Sequence, residues 1–491
     1  MSPEHEIPLA VDLDGTLVQG DTLYELLFAA LRRRPLLVLL LPVWLLSGKA
    51  ALKARLAEAT DPKSLKLLFH APVLDWLRAQ KESGRTLVLA TAADRRVADA
   101  AAAETGLFDA VMATEDGRNL RGQAKADALV ERFGARGFDS AGNGAHDLPV
   151  WRVARQAVVV APQGAAIVRR AAEANPNLHH IAVPGASARA VLKEMRLHQW
   201  AKNALVFVPL VAAHRFTELP LLLHALVAFL AMGLVASAGY IANDLLDLQA
   251  DRGHPRKCRR PFAGGLLPVP LGPPIAGALL LGGVALAASV SWALVLWVLL
   301  YLALTLTYSF WLKQKVLADV FVLAGLYTHR ILAGAIATGI APSFWLLALS
   351  MFFFLSLAML KRYSELIDLV AAAPAERQAK ARGYRAEDLD TLVSLGSASG
   401  FSSVFVLALY IDSPNVRALY KTPELFWLCC PLLLYWLSRM WVGARRGVID
   451  DDPLVFALRE KKSLLILGVM LLLAALSTTV DFRCLLLGRC G

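Results

Sequence analysis

Short apolar runs alternate with helical periodicity over roughly the first 190 residues, and long unbroken apolar segments take over beyond them. Ile7–Leu13, Thr86–Thr91 and Ala157–Ala161 read as buried strands, and Asp94–Thr105 and Lys125–Phe133 as helices. Strands separated by helices predict a parallel α/β sheet with ligand groups at the strand C-termini. Pro184–Ser187 reads as a linker. Apolar segments near 203–216, 221–242, 272–290, 292–311, 317–339, 343–360, 393–411, 424–442 and 464–481 predict an all-α polytopic membrane domain of about nine spans. The run Pro35–Leu46 is apolar but only about a dozen residues long. That is short for a span, so it predicts an interfacial or buried helix that rests the first domain against a bilayer.

Composition agrees with this division. Hydrophobic residues make up 57% of the chain and the mean hydropathy is +0.51, high for a soluble protein. The net charge of +11 does not indicate nucleic acid, because the bases collect in loops near 243–270, 312–316, 361–392 and 443–463. Opposite loops hold few, among them Arg215, Arg417 and Lys421. This positive-inside pattern predicts a multi-pass protein of a bacterial inner membrane with its N-terminal domain in the cytoplasm. Met1–Pro8 leads directly into a strand and does not read as a signal peptide. The five cysteines show no zinc spacing or disulfide framework, and His254 and Cys258, four apart, lack a second pair. Homo-oligomerisation is compatible with the sequence.

Two stretches carry chemistry. At the end of the first strand stands Asp12-Leu13-Asp14-Gly15-Thr16, two acids at a tight turn. A carboxylate nucleophile on phosphate needs a second acid for the leaving-group proton and a metal to mask anion repulsion. Thr91 ends another strand, Lys125 completes G-x-x-K, and Asp147 ends G-N-G-A-H-D. In this order the four elements resemble the haloacid dehalogenase (HAD) phosphohydrolase superfamily. The resemblance implies a HAD-like domain over 1–185 with a cap at about 20–80. It also implies Asp12 as nucleophile, Asp14 as general acid/base, Thr91 and Lys125 as phosphate contacts, and Asp12, Asp14, Asn143 and Asp147 around Mg²⁺. Asn143 stands where the family usually carries an acid, which lowers the charge at the metal by one. A degenerate domain kept for docking is the competing reading.

The second stretch runs from Asn243 to Asp251. Asp244, Asp247 and Asp251, spaced three and four apart, fall on one helix face and are expected to converge. Carboxylates near bilayer depth are costly and usually functional, and an oxygen-only cluster suits Mg²⁺. Arg252, His254, Lys257, Arg259 and Arg260 follow and supply charge for an anion. The motif resembles the first aspartate motif of the UbiA superfamily of intramembrane prenyltransferases, over about 190–485. That likeness implies a polyprenyl lipid substrate in the bilayer and a diphosphate leaving group.

Arg196, His198, Gln199, Trp200, Lys202 and Asn203 before the first span, the basic run after Asp251, Tyr308 and Lys313 before Asp319, His329-Arg330, and Lys361-Arg362 narrow the likeness. Together they look like the decaprenyl-phosphate phosphoribosyltransferase branch, whose donor is phosphoribosyl diphosphate and whose acceptor is a polyprenyl phosphate. In that reading Asp244, Asp247 and Asp251 hold Mg²⁺ and the diphosphate, with Asp319 as a lone second acid and Asn243 orienting a ligand. Lys257, Arg259 and Arg260 grip phosphate oxygens. Lys313 and Arg330 are candidates for the 5-phosphate or the lipid phosphate, and Lys202 for the lipid head group. Tyr308, Lys361 and Arg362 are substrate contacts or interfacial anchors, and Trp200 an anchor. Ala371–Glu376 reads as a loop, with Arg382–Tyr384 able to fold over the entrance. The alternatives are transfer of a prenyl group from polyprenyl diphosphate to a small aromatic or quinone-precursor acceptor, and a HAD domain that serves as a non-catalytic scaffold.

Overall fold

The computed structural model describes residues 7–115, 119–371, 383–414, 420–449 and 452–480. Most of the loop expected at Ala371–Glu376, together with Arg382 and Arg417, lies outside them. The chain forms two compact units, one of residues 1–195 with 240–278 and one of residues 196–239 with 279–491. The aspartate segment therefore packs in the unit that contains the sheet.

Six parallel strands build that sheet: β1 (Leu9–Val11), β2 (Leu87–Asp94), β3 (Ala110–Thr114), β4 (Asp139–Gly142), β5 (Ala157–Ala161) and β6 (Leu178–Ala182), in the order β3-β2-β1-β4-β5-β6. Val11 lies level with Leu89 on one side and Ala141 on the other. Strand order reverses at β1, which opens a crevice beyond the C-terminal ends of β1 and β4. Side chains alternate across the sheet. Leu9 and Val11 pack with Leu87, Leu89 and Val160, while Ala10 and Ala90 face Leu129 and Phe138. The hydrophobic pattern does not announce β3, β4 or β6. β4 reads D-S-A-G and β6 carries two histidines, so neither leaves an apolar period to detect.

Between β1 and β2 lies an all-helical insertion that includes α1 (Thr22–Arg33), a 3-10 turn at Pro35–Leu39, α2 (Leu41–Leu46) and α3 (Lys49–Ala59). Asp21 caps α1 by accepting a hydrogen bond from the Leu23 amide. Pro35 and Pro42 each begin a helical piece, where a missing N–H is harmless, and so the apolar run is divided in two. None of it is buried. Leu36, Leu39 and Leu46 are 72%, 71% and 89% exposed, which removes the buried-helix alternative and leaves an apolar surface of the kind that seats on lipid.

Eight helices among the described residues are long and apolar enough to cross a membrane: Leu219–Leu246, Val269–Ala288, Trp292–Phe310, Ala318–Thr338, Phe344–Asp368, Asp388–Ile411, Pro423–Arg445 and Lys461–Thr479. The expected span at 203–216 is different. It is an 11-residue 3-10 helix, Leu197–Phe207, followed by the short helix Val208–Ala212. Because 3-10 turns rise about 2.0 Å per residue against 1.5 Å for the α-helix, these 16 residues extend about 30 Å, the thickness of a hydrocarbon core. Among the described residues, the helices with the length and apolarity of a span begin at Leu219.

Close approach of small residues orders the second unit. A Cβ on Gly396 would lie 2.3 Å from the Trp441 ring, one on Gly400 2.8 Å from Ser356 Oγ, and one on Gly334 1.9 Å from the Val206 carbonyl. Tyr327 and Phe354 stack at 4.9 Å in the core beside these contacts.

Candidate functional sites

The crevice of the sheet gathers the first constellation. Asp12 leaves β1 with its amide bonded to the Ala141 carbonyl at 3.0 Å, which fixes its carboxylate beside the end of β4. The turn then needs Gly15, whose φ is +73° and whose added Cβ would fall 2.0 Å from Asn143 Nδ2. Lys125 Nζ donates to Asp12 Oδ1 at 2.8 Å and lies 3.5 Å from Asp147 Oδ1. Burial works against the Lys125 charge, but Asp12 and Asp147 overcome it and hold its pKa above the ordinary lysine value. The Asn143 and Gly144 amides hold Asp147 Oδ2 at 3.0 and 3.1 Å. Asp14 accepts from the Thr22 amide at 2.7 Å. Burial, reinforced by the nearby Asp21 charge, pushes its carboxyl up to about 7, where a carboxylic acid can donate a proton near neutrality. Thr91 is fully buried, with its hydroxyl accepting from the Ala93 amide.

These residues fit a divalent cation. Ligand atoms of Asp12, His146 and Asp147 lie within 4.8 Å of one another. Buried Asn143 Oδ1 finds no hydrogen-bond partner among the described residues, as expected of an oxygen reserved for a ligand. His146 escapes a sequence reading because a lone histidine in a turn carries no spacing signal.

The aspartate segment forms the second constellation, in the same unit. The helix breaks at Asp247 (φ −90°, ψ 7°), yet amide bonds from Asp247 to the Asn243 carbonyl and from Asp251 to the Asp247 carbonyl carry the turn through, both at 2.8 Å. Asp244 and Asp251 are 2% and 3% exposed and share one nitrogen of Arg260, at 2.9 and 2.5 Å. Asp247 pairs instead with Arg32 of α1 at 3.2 Å. Of the three carboxylates expected to converge, Asp244 and Asp251 share Arg260, and Asp247 pairs with Arg32 of α1. Two buried carboxylates facing one cation still form a donor set suited to a hard divalent ion. His254 shapes the turn that follows, its Nδ1 accepting from the Arg256 and Lys257 amides. Arg259 is exposed and its carbonyl accepts from Lys193.

Beside this segment lies an ion pair that no motif indicates. Arg252 makes a two-pronged contact with Glu25 of α1 at 2.7 and 2.9 Å, with side chains 4% and 0% exposed, and Gln249 adds a third bond to Glu25 at 2.8 Å. Removing one partner strands a buried charge and costs about 3–5 kcal/mol. Glu25→Ala is therefore expected to lower the thermal midpoint of the purified chain markedly. Paired with Arg252→Met, Glu25→Leu is expected to recover most of that loss. A double variant as unstable as the single one would contradict this account.

The second unit holds the remaining candidates. Asp319 is fully buried, ion-paired with Arg362 Nε at 2.7 Å and accepting a hydrogen bond from the Tyr384 hydroxyl at 2.6 Å. The acid expected to face a metal thus lies against the Arg362 guanidinium. Arg362 also pairs with Glu365 and reaches the Tyr308 hydroxyl at 3.5 Å. At 2% exposure it is no interfacial anchor. Tyr384, from the segment expected to be able to fold over the entrance, donates its hydroxyl to Asp319. Arg330 is held by Asn203 Oδ1 at 2.9 Å and the Tyr301 hydroxyl at 2.8 Å. Lys202 and Lys361 both face Asp452, the latter at 3.7 Å, an acid the sequence reading did not single out. Lys313 is half-buried in the turn Leu312–Gln314. Trp200 is bonded to Ser237 at 3.0 Å and packs on Gly233, so it is a packing residue in this unit.

The profile of the UbiA prenyltransferase family matches residues 204–459, more than half of the chain. This chain belongs to the UbiA prenyltransferase family. Ahead of the UbiA region, the haloacid dehalogenase-like hydrolase profile matches residues 9–152. An uncharacterized protein of Sinorhizobium fredii is 36% identical over 94% of this chain and 89% of its own length. The nodulation protein NoeC of Azorhizobium caulinodans is 36% identical over 56% of this chain and 89% of its own. The decaprenyl-phosphate phosphoribosyltransferase of Mycolicibacterium smegmatis is 34% identical over 55% and 86%. Among solved structures, a UbiA homologue from Archaeoglobus fulgidus bound to DMAPP and Mg²⁺ is similar over 60% of this chain and 98% of its own, with 15% identity and a TM-score of 0.43. The UbiA chain described here is a multi-pass membrane transferase with an N-terminal HAD-like domain.

Proposed function

We propose that the membrane domain moves phosphoribose from phosphoribosyl diphosphate to a polyprenyl phosphate, and that the HAD-like domain then removes the 5-phosphate of the product. One observation carries the first half: Asp319 stands alone in the sequence, with no second acid spaced as in the Asp244 motif, and its carboxylate is held by Arg362 and the Tyr384 hydroxyl. What is left is one acidic motif in basic company, which suits a reaction whose two substrates carry several phosphates. Similarity to decaprenyl-phosphate phosphoribosyltransferases supports the same assignment.

In the transfer, a lipid phosphate oxygen attacks the anomeric carbon of ribose, the bond from that carbon to the diphosphate oxygen breaks, and diphosphate departs. No protein nucleophile is needed. Asp244 and Asp251 would hold a Mg²⁺ ion, whose contribution is to neutralise the leaving diphosphate. Arg260 lies against both acids and is placed to grip phosphate oxygens. In the HAD crevice, an Asp12 oxygen attacks the 5-phosphate phosphorus, the ester bond breaks, and Asp14 gives its proton to the departing alcohol. Water then attacks the aspartyl phosphate, returning a proton to Asp14 and releasing inorganic phosphate. Lys125 stays charged throughout and faces the transferred group. Asp12, Asn143 and Asp147 would hold the cation at this site.

Membranes containing the chain, incubated with radiolabelled phosphoribosyl diphosphate and a polyprenyl phosphate, are expected to render label lipid-extractable in the presence of Mg²⁺ and to lose that activity with EDTA. Transfer from a prenyl diphosphate to a small aromatic acceptor, with no label entering lipid, sinks this reading.

A further inference from the structure

The HAD crevice opens into a cavity of about 1060 Å³, at the upper end of what a drug-sized ligand occupies and far more than a sugar phosphate fills. Its floor is Asp12, Asp14, Lys125 and Asn143. One wall is apolar, built by Val38, Leu41 and Leu45, and its rim carries three further cations, Lys49, Lys53 and Arg121. Lys53 reaches down from α3 to the Ala92 carbonyl at 2.5 Å, next to Thr91, so its ammonium stands inside the cleft. Burial pulls its pKa below the ordinary lysine value against the opposing charges of Asp14 and Asp21. Lys125 is already engaged by Asp12 and Asp147. The loop after the aspartate segment completes the wall with Leu266, Pro268 and Pro270. It is seated there by Gly265, whose φ is +73° and whose added Cβ would fall 1.8 Å from Gln19 Oε1.

We propose that this cleft takes an amphiphile with two anionic groups. A terminal phosphate monoester lies over Asp12, a second, diester phosphate meets Lys53 with Lys49 and Arg121, and hydrocarbon runs along Val38, Leu41 and Leu45 toward the exposed Leu36, Leu39 and Leu46. The assignment rests on the phosphatase reading above and deepens it by locating where the diester phosphate and the hydrocarbon of that substrate lie. With Lys125 taken up by Asp12, Lys49, Lys53 and Arg121 outnumber Asp14 and Asp21 in the lining, which favours a second anion, and an apolar wall gains nothing from a free sugar.

The test measures phosphate release by the full chain in nanodiscs from a farnesyl-phosphoryl-ribose 5-phosphate and from ribose 5-phosphate. The amphiphile is expected to have a kcat/KM about 100-fold higher. Lys53→Met is expected to raise its KM about tenfold with kcat within about twofold, and Lys53→Arg to restore most of the loss. Equal kcat/KM for both substrates, or an unchanged KM in Lys53→Met, overturns the proposal while leaving the phosphatase reading intact. If the wild-type chain releases phosphate from neither substrate, the phosphatase reading fails on its own. Binding of the amphiphile to the Asp12→Asn chain, taken as the part displaced by inorganic phosphate, then decides the subsite: tenfold weakening by Lys53→Met supports it and no weakening overturns it. Exchanging neutral for anionic bilayer lipid is expected to leave KM unchanged. A parallel rise in KM shows that the rim holds a bilayer headgroup instead and overturns the assignment.

Discussion

Asp12→Asn is expected to cut phosphate release by about 10⁴-fold or more, the scale on which removal of a covalent nucleophile acts, while radiolabel continues to enter lipid. The amide keeps the shape of the carboxylate and its seat against the Ala141 carbonyl, so the fold is retained. It has no anionic oxygen with which to attack phosphorus, and Lys125 keeps Asp147 as its partner. The product should therefore accumulate with its 5-phosphate in place, visible as a more anionic radiolabelled lipid on chromatography. Normal release by this variant would show that the sheet domain is not a phosphatase acting through Asp12, and would favour the docking role.

The second large effect concerns Asp251. Changing it to Asn is expected to lower phosphoribosyl transfer by about 10²–10³-fold, the scale of losing one preorganised electrostatic contact at a site of developing charge, and to raise the Mg²⁺ concentration needed for half-maximal rate. Asp244 and Asp251 are the two acids brought onto Arg260. Losing either leaves one carboxylate for the cation and frees Arg260 from half of its hold. Phosphate release from a supplied 5-phosphorylated lipid should be unaffected, which separates this site from the crevice at Asp12. A variant that transfers within about twofold of wild type would remove the aspartate segment from the chemistry.

Much of this was readable without coordinates. The order D-L-D-G-T, Thr91, Gly122-x-x-Lys125 and Asp147 announces a phosphate crevice, because each residue type must occupy the end of a strand or the first turn of a helix to act on one phosphorus atom. The apolar segments announce the spans, since a bilayer demands length and apolarity and little else. The segment expected to span at 203–216 was legible as apolar, but the 3-10 helix Leu197–Phe207 that leads into it was not. Its short length and the Gly334 contact against Val206 are satisfied only in the packed unit.

Long-range pairing was the part hidden from sequence. Helical spacing put Asp244, Asp247 and Asp251 on one face, but spacing says nothing about which cations approach that face. Arg260 claims two of the acids and Arg32, more than 200 positions earlier in the chain, claims the third. Glu25 in α1 looked like an ordinary helix residue until Arg252 and Gln249 were seen to surround it. Nothing in the spacing around Asp319 indicates its ion pair with Arg362. From sequence alone come the two chemistries, their order along the chain and the division between aqueous and apolar segments, since these depend on residue type and local period. The tertiary structure alone decided which charges neutralise each other and which are left for a ligand, because an ion pair inside a protein is set by distance and burial that no local pattern encodes.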